Sequence, residues 1–123
     1  MSLNILVVDD EKDLTELVKE LLGLEGHTVT TAYNGKLGLE AYLKIKPNLI
    51  ITDQMMPVLD GLGMIRKIRE EYKDNNVKII LSSAGVKHLG AEVQWDLFLR
   101  KPPNIDDYLK AIQKLFQHAG ADQ

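Results

Sequence analysis

Asn48-Leu49-Ile50-Ile51-Thr52-Asp53 is the stretch that decides the fold. Three adjacent aliphatic side chains leave no polar face. Such a run reads as a strand buried on both sides, as in a parallel sheet covered by helices. The strand is expected over residues 49–52, similar runs occupy residues 3–8 and 77–81, and shorter ones occupy residues 28–32 and 97–99. Five strands are therefore expected.

Helical patterns lie between them. Leu14, Leu17, Val18, Leu21 and Leu22 form an apolar stripe with an acidic first turn and a glycine stop at Gly26. Leu39, Ala41, Tyr42 and Ile45 mark a second helix, weakened by Gly38 and ended before Pro47. Leu62, Ile65 and Ile68 mark a third. Ile105, Tyr108, Leu109, Ile112, Leu115 and Phe116 mark the clearest one, with Asn104 as its N-cap. A further short helix is expected within residues 85–94. Alternating strands and helices imply right-handed βαβ units and an α/β, doubly wound, open sheet. Its ligands would sit at the edge where the strands end.

Composition narrows the classes. The chain has 123 residues, a length for one domain over 1–123. It has no cysteine, which excludes disulfides, thiolate metal sites and a cysteine nucleophile. Its formal charge is −3, no footprint for direct nucleic-acid or anionic-membrane binding. No apolar run is long enough to span a bilayer.

The same rim collects the chemistry. Strand one runs into Asp9-Asp10, strand three into Asp53, strand four into Ser82-Ser83, and strand five into Arg100-Lys101-Pro102. Taken alone, Asp9 or Asp10 could cap the next helix, Ser83 could be a turn residue, and Lys101 a solvated charge. Together they form a site. Three carboxylates repel unless a cation joins them. An all-oxygen set without His or Cys suits a hard divalent ion, and few protein ligands suit Mg²⁺. The chemistry allowed is phosphoryl transfer to a carboxylate, with Asp53 attacking, Asp9 and Asp10 holding the metal, and Lys101 and Ser83 on phosphoryl oxygens.

These residues resemble the response-regulator receiver domains of two-component signalling. The likeness rests on Ile5-Leu6-Val7-Val8-Asp9-Asp10-Glu11, on Ile50 to Gly61 with Asp53-Gln54-Met55-Met56-Pro57 at its centre, on Ser83-Ala84, and on Phe98-Leu99-Arg100-Lys101-Pro102. It implies a flavodoxin-like (βα)5 sheet in the order 2-1-3-4-5. It makes Asp53 the phosphoacceptor, Asp9 and Asp10 the acidic metal pair, and the Met55 carbonyl a metal ligand. Ser83 becomes the switch hydroxyl, Phe98 the switch aromatic and Lys101 the phosphoryl-sensing lysine. It also implies a cis Lys101–Pro102 bond and a cytoplasmic signalling role rather than a metabolic enzyme. The phosphodonor would be a histidine kinase or a histidine phosphotransfer protein, and the output an unidentified partner or domain. The span from Ser83 to Lys101 is shorter than is usual in the family, by roughly four residues or one helical turn.

Two rival readings use the same residues. An aspartyl-nucleophile phosphohydrolase needs an acid two residues beyond Asp53, where Met55 stands. A degenerate receiver that only docks would normally lack Asp53 or Lys101. Elsewhere, Arg66, Lys67 and Arg69 read as a solvated helix face, and His27, His88 and His118 are too scattered to bind a metal. Met55-Met56 reads as packing near the loop beneath the site. Trp95 reads equally as core or as partner surface.

Overall fold

A computed structural model describes residues 2–84 and 94–116. The elements are β1 (Asn4–Val8), α1 (Lys12–Leu24), β2 (Thr28–Ala32), α2 (Gly35–Ile45), β3 (Leu49–Asp53), α3 (Gly61–Arg66), β4 (Lys78–Ser83), β5 (Leu97–Arg100) and α4 (Ile105–Phe116). A π-helical turn, Lys67–Glu71, continues α3. The five strands are parallel, in the order β2-β1-β3-β4-β5. The helix expected within residues 85–94 falls on residues outside the described set, Gln94 excepted.

Alternation along each strand divides the core in two. Ile5, Val7, Leu49, Ile51 and Ile80 pack under Val18 and Leu22 of α1 and Tyr108, Ala111 and Ile112 of α4. Leu6, Val8, Ile50, Ile79 and Leu81 pack on the other face under Tyr42 of α2 and Met64 and Ile65 of α3. Most of these side chains are fully buried, and each contributes about 1.5–3 kcal/mol relative to exposure. No helix among the described residues is long and apolar enough to cross a membrane.

Local chemistry sets the helix ends. Asn34 Oδ1 accepts the Leu37 N–H at 2.8 Å, so α2 starts at Gly35, four residues before the apolar stripe does. Gly38 is a contact rather than a weakness. A Cβ there would lie 2.7 Å from Met64 Sδ and 3.1 Å from the Val8 methyls. At α4, Asn104 Oδ1 accepts the Asp107 N–H while Asp107 Oδ2 accepts the Asn104 N–H, both at 2.8 Å. This is a reciprocal capping box. Gly26, with φ +93°, follows α1 as expected.

One sequence expectation fails outright. Arg69 does not lie on a solvated face. Its side chain is 7% exposed and its Nη2 lies 2.9 Å from Asp96 Oδ2. Nη1 donates to the carbonyls of Asp74 and Val77, and Nε donates to that of Gln94. Asp96 Oδ2 also accepts the Ile79 N–H at 2.7 Å. The guanidinium thus ties the turn after α3 to the starts of β4 and β5. Lys67 is exposed as expected, paired with Glu71 one turn on.

Arg69 is the buried member of this pair, whereas Asp96 is 29% exposed and keeps the Ile79 N–H, so the loss falls mainly on the carbonyls that Arg69 serves. Arg69→Ala is expected to lower unfolding free energy by about 2 kcal/mol. Lys67→Ala should change it by less than about 1 kcal/mol. Urea denaturation followed by circular dichroism checks both, and equal effects would contradict the clamp.

Candidate functional site

The order β1-β3 at the middle of the sheet sets the ends of these strands side by side. Asp9 follows β1, and its N–H donates to Ala32 O at 3.0 Å. Its Oδ1 accepts the Glu11 N–H at 3.0 Å, a local turn rather than a helix cap. Asp10, next to it, is exposed. Asp53 ends β3 and is 6% exposed, with Oδ1 accepting the Gln54 N–H at 2.9 Å. One carboxylate oxygen from each of Asp9, Asp10 and Asp53 lies within 4.8 Å of the others.

Lys101 closes the cluster from beyond β5. Its N–H donates to Ser83 O at 3.0 Å, and the Lys101–Pro102 bond is cis. Its Nζ lies 2.8 Å from Asp9 Oδ2, 3.2 Å from Glu11 Oε1 and 3.4 Å from Asp53 Oδ2, with the side chain 12% exposed. It is neither solvated nor free. Burial works against its charge, but the Asp9 hydrogen bond and the fields of Asp9 and Asp53 outweigh that and hold its pKa above the usual lysine range. Burial, and then the Asp9 charge, push the Asp53 carboxyl above its ordinary value of 3.8, with Lys101 and the Gln54 N–H only partly offsetting them.

The loop after Asp53 is braced from within. Gln54 Nε2 donates to Asp60 Oδ2 at 3.2 Å, and Gln54 Oε1 accepts the Leu62 N–H at 2.8 Å. Asp60 Oδ1 accepts the Gly63 N–H at the start of α3. A Cβ at Gly61 would overlap the Asp53 carbonyl oxygen, so only glycine lets the loop return so close. Val58, at the tip, has φ 71° and is 76% exposed. This left-handed position is a costly one for a β-branched residue.

The remaining expected residues sit around this centre. Met55 is 71% exposed, rather than packed beneath the site, while Met56 packs against the α2/α3 core. Ser83 is buried at the end of β4. Asp10, Glu11, Asp53, Met55, Ser83, Ala84 and Lys101 together line an open cleft of about 430 Å³. Phe98 pairs in register with Leu81 and, like Trp95, packs part-buried against the α2/α3 core. Phe98 therefore lies on the Leu81 face of the sheet and not in the cleft. His27 Nδ1 accepts the Leu3 N–H, and His88 and His118 fall outside the described residues. A larger cleft, about 600 Å³, lies between Tyr42, Lys46, Asp74 and Lys78 at the opposite edge of the sheet, away from the carboxylates.

Sequence reading missed Glu11 as the third acid on Lys101, and Gln54 and Asp60 as the braces. Only its place two residues after Asp9 marks Glu11. The pattern Asp60-Gly61 carries the second signal, since a cap followed by glycine starts α3.

The chain is similar to known proteins in both sequence and fold. The sequence pattern of the family described as Response regulator receiver domain matches residues 5–113. The chain is 31% identical over 119 residues to the response regulator MprA of Mycobacterium ulcerans, covering 95% of this chain and 51% of that protein. It spans about half the length of the curated relatives it matches. Among solved structures, the chemotaxis protein CheY4 of Vibrio cholerae is similar with a TM-score of 0.86 and 26% identity, over 94% of this chain and all of that one. The receiver domain of the Francisella response regulator 1452 is similar with a TM-score of 0.84 and 27% identity, over 95% and 98%.

The raised Asp53 pKa has a stability consequence. The unfolded chain releases this proton at lower pH than the folded one, so stability falls as pH climbs from the unfolded value through the folded one. Without metal, Asp53→Asn is expected to raise the urea midpoint at pH 7. That advantage should vanish below about pH 3, where the wild-type carboxyl is neutral in both states. A variant no more stable than wild type at pH 7 would contradict the electrostatic account.

Proposed function

The chain belongs to the response regulator receiver domain family, and from that premise we propose that Asp53 is its phosphoryl acceptor. The donor is a histidine kinase or a histidine phosphotransfer protein. The observation that carries the reading is the 3.4 Å approach of Lys101 Nζ to Asp53 Oδ2, inside a nest of further carboxylates.

The donor set fits a magnesium ion. Asp9, Asp10 and Asp53 offer three hard oxygens close together. With Glu11 they carry four negative charges against the one positive charge of Lys101, an imbalance that a divalent cation relieves. Those three carboxylates and the Met55 carbonyl would hold it. When bound, the ion neutralises charge on the phosphoryl oxygens and helps align the transfer.

The chain's own residues supply the rest. An Asp53 carboxylate oxygen bonds to phosphorus as the bond from phosphorus to the donor nitrogen breaks, and the electron pair leaves with the donor. Lys101 Nζ is placed to follow the new charge onto a phosphoryl oxygen, leaving Asp9 and Glu11 to balance it in the resting state. The Ser83 hydroxyl donates to another phosphoryl oxygen. That shift frees space under the end of β4, and Phe98 on the same face repacks with Trp95. A partner that prefers one arrangement then reads the change, to the extent of its differential affinity. Met55 gives no acid for leaving-group protonation, so the site works as a switch that decays and not as a turnover phosphatase.

Incubation with acetyl phosphate and Mg²⁺ should raise the intact mass by one phosphoryl group, and Asp53→Asn should abolish the gain. Mg²⁺ alone should stabilise the fold by about 1.4 kcal/mol at ten times its dissociation constant, reversibly on chelation. A wild-type protein with no mass gain would refute the reading. The beryllofluoride adduct should change Trp95 fluorescence, and Phe98→Ala should blunt that change. An unchanged spectrum would sever the coupling between Ser83 and Phe98.

A further inference from the structure

The two serines that end β4 point to opposite faces of the sheet. Ser83 shares the face of Leu81 and Phe98. Ser82 shares the face of Ile80, beneath α1 and α4, in register with Asp53 on one side and Leu99 on the other. It is 3% exposed. Its Oγ has no hydrogen-bond partner in the protein among the described residues. A hydroxyl buried without a partner opposes folding, so its satisfaction needs an account.

The neighbourhood supplies one. Ser82 borders a narrow, partly open cavity of about 10 Å³, whose walls are mostly apolar but include Asp9, Asp53, Lys101 and Tyr108. That volume is the lower bound for a single water, and a water needs the two to four polar neighbours that such walls offer. Apolar cavities of this kind stay dry, but this one lies directly behind the acidic nest. We propose that one buried water sits there, accepts a hydrogen bond from Ser82 Oγ and donates one to the Asp53 carboxylate. Ser82 is then a positioning residue for the acceptor.

The consequence rests on the reading of Asp53 as the phosphoryl acceptor. During loss of the phosphoryl group, the oxygen of a solvent water bonds to phosphorus and its proton passes to solvent. The bond between phosphorus and the Asp53 oxygen breaks, and the carboxylate leaves with the electron pair. A donor already aimed at that carboxylate stabilises its growing charge. The Ser82 relay therefore shortens the life of the phosphorylated state.

The test compares the full chain with Ser82→Ala, in three measurements. Water-to-amide cross-relaxation by NMR should show a long-lived water near the Asp53 or Ser82 amide in wild type, lost in the variant. The urea midpoint of the variant should be slightly lower, because a satisfied hydroxyl has been removed. Loss of the phosphoryl group, loaded from acetyl phosphate, should be slower in the variant by roughly fivefold. Absence of the cross-peak in wild type, a higher midpoint in the variant (the mark of an unpaired hydroxyl) or equal decay rates would each overturn the proposal. If wild type takes up no phosphoryl group at all, the reading of Asp53 fails instead, and the cross-peak and midpoint still decide the water site.

Discussion

A single ammonium, Lys101 Nζ, holds three carboxylates at 2.8, 3.2 and 3.4 Å, and the upper rim of the molecule is arranged around it. The acids come from β1 and β3, which neighbour each other because the strand order reverses between them. The lysine comes from beyond β5, two strands away. It reaches back past the end of β4, where its own N–H is fixed to Ser83 O. At an effective dielectric near 20, an ion pair at 4 Å is worth about 4 kcal/mol before desolvation. The cost of burying each ion is several kcal/mol. With more acid than base, the metal-free cluster is not a stabilising device. The upward push on the Asp53 carboxyl is the sign of that. Stability rests on the two aliphatic layers below, and the rim draws on it.

That division explains what the sequence let one read. The buried strands announce themselves because every residue in them must be apolar, and both the strand count and the order 2-1-3-4-5 emerge from that constraint and the family likeness. The strand ends were read short at β3 and β4. Asp53, Ser82 and Ser83 are polar residues that remain in the ladder, and propensity alone gives no reason to keep them there. The start of α2 was read late for a related cause. Gly38 lowers helix propensity, while its actual role, admitting Met64 and Val8, is a tertiary fact.

Arg69 shows the limit most clearly. Its neighbours Arg66 and Lys67 do face outward, and its charge groups it with them, although it stands seven residues after Leu62 and four after Ile65, beside the apolar stripe. Its partner Asp96 is 27 residues on, and its three other acceptors are backbone carbonyls, which carry no residue-type signal at all. Glu11 escaped for a simpler reason. An acid at the start of a helix already has an explanation in the helix dipole, so nothing in the sequence calls for a second one.

The rim also shows why adjacent residues of one type can serve different ends. Ser82 and Ser83 are chemically identical, yet strand alternation sends them to opposite layers. Ser83 opens onto the cleft and lies on the Phe98 side, where a small displacement can be transmitted through β5. Ser82 faces the layer that supports the acids, where displacement is blocked by α1 and α4 and only hydrogen bonding is available. On the proposed reading, the pleat sets the direction of signalling. A hydroxyl on one side can move packing, and a hydroxyl on the other can only tune charge. Exchanging the roles of the two would require a one-residue slip of β4, and that slip would turn Ile79, Ile80 and Leu81 out of their layers as well. The apolar register that stabilises the sheet is therefore the same constraint that keeps Ser82 and Ser83 on opposite faces.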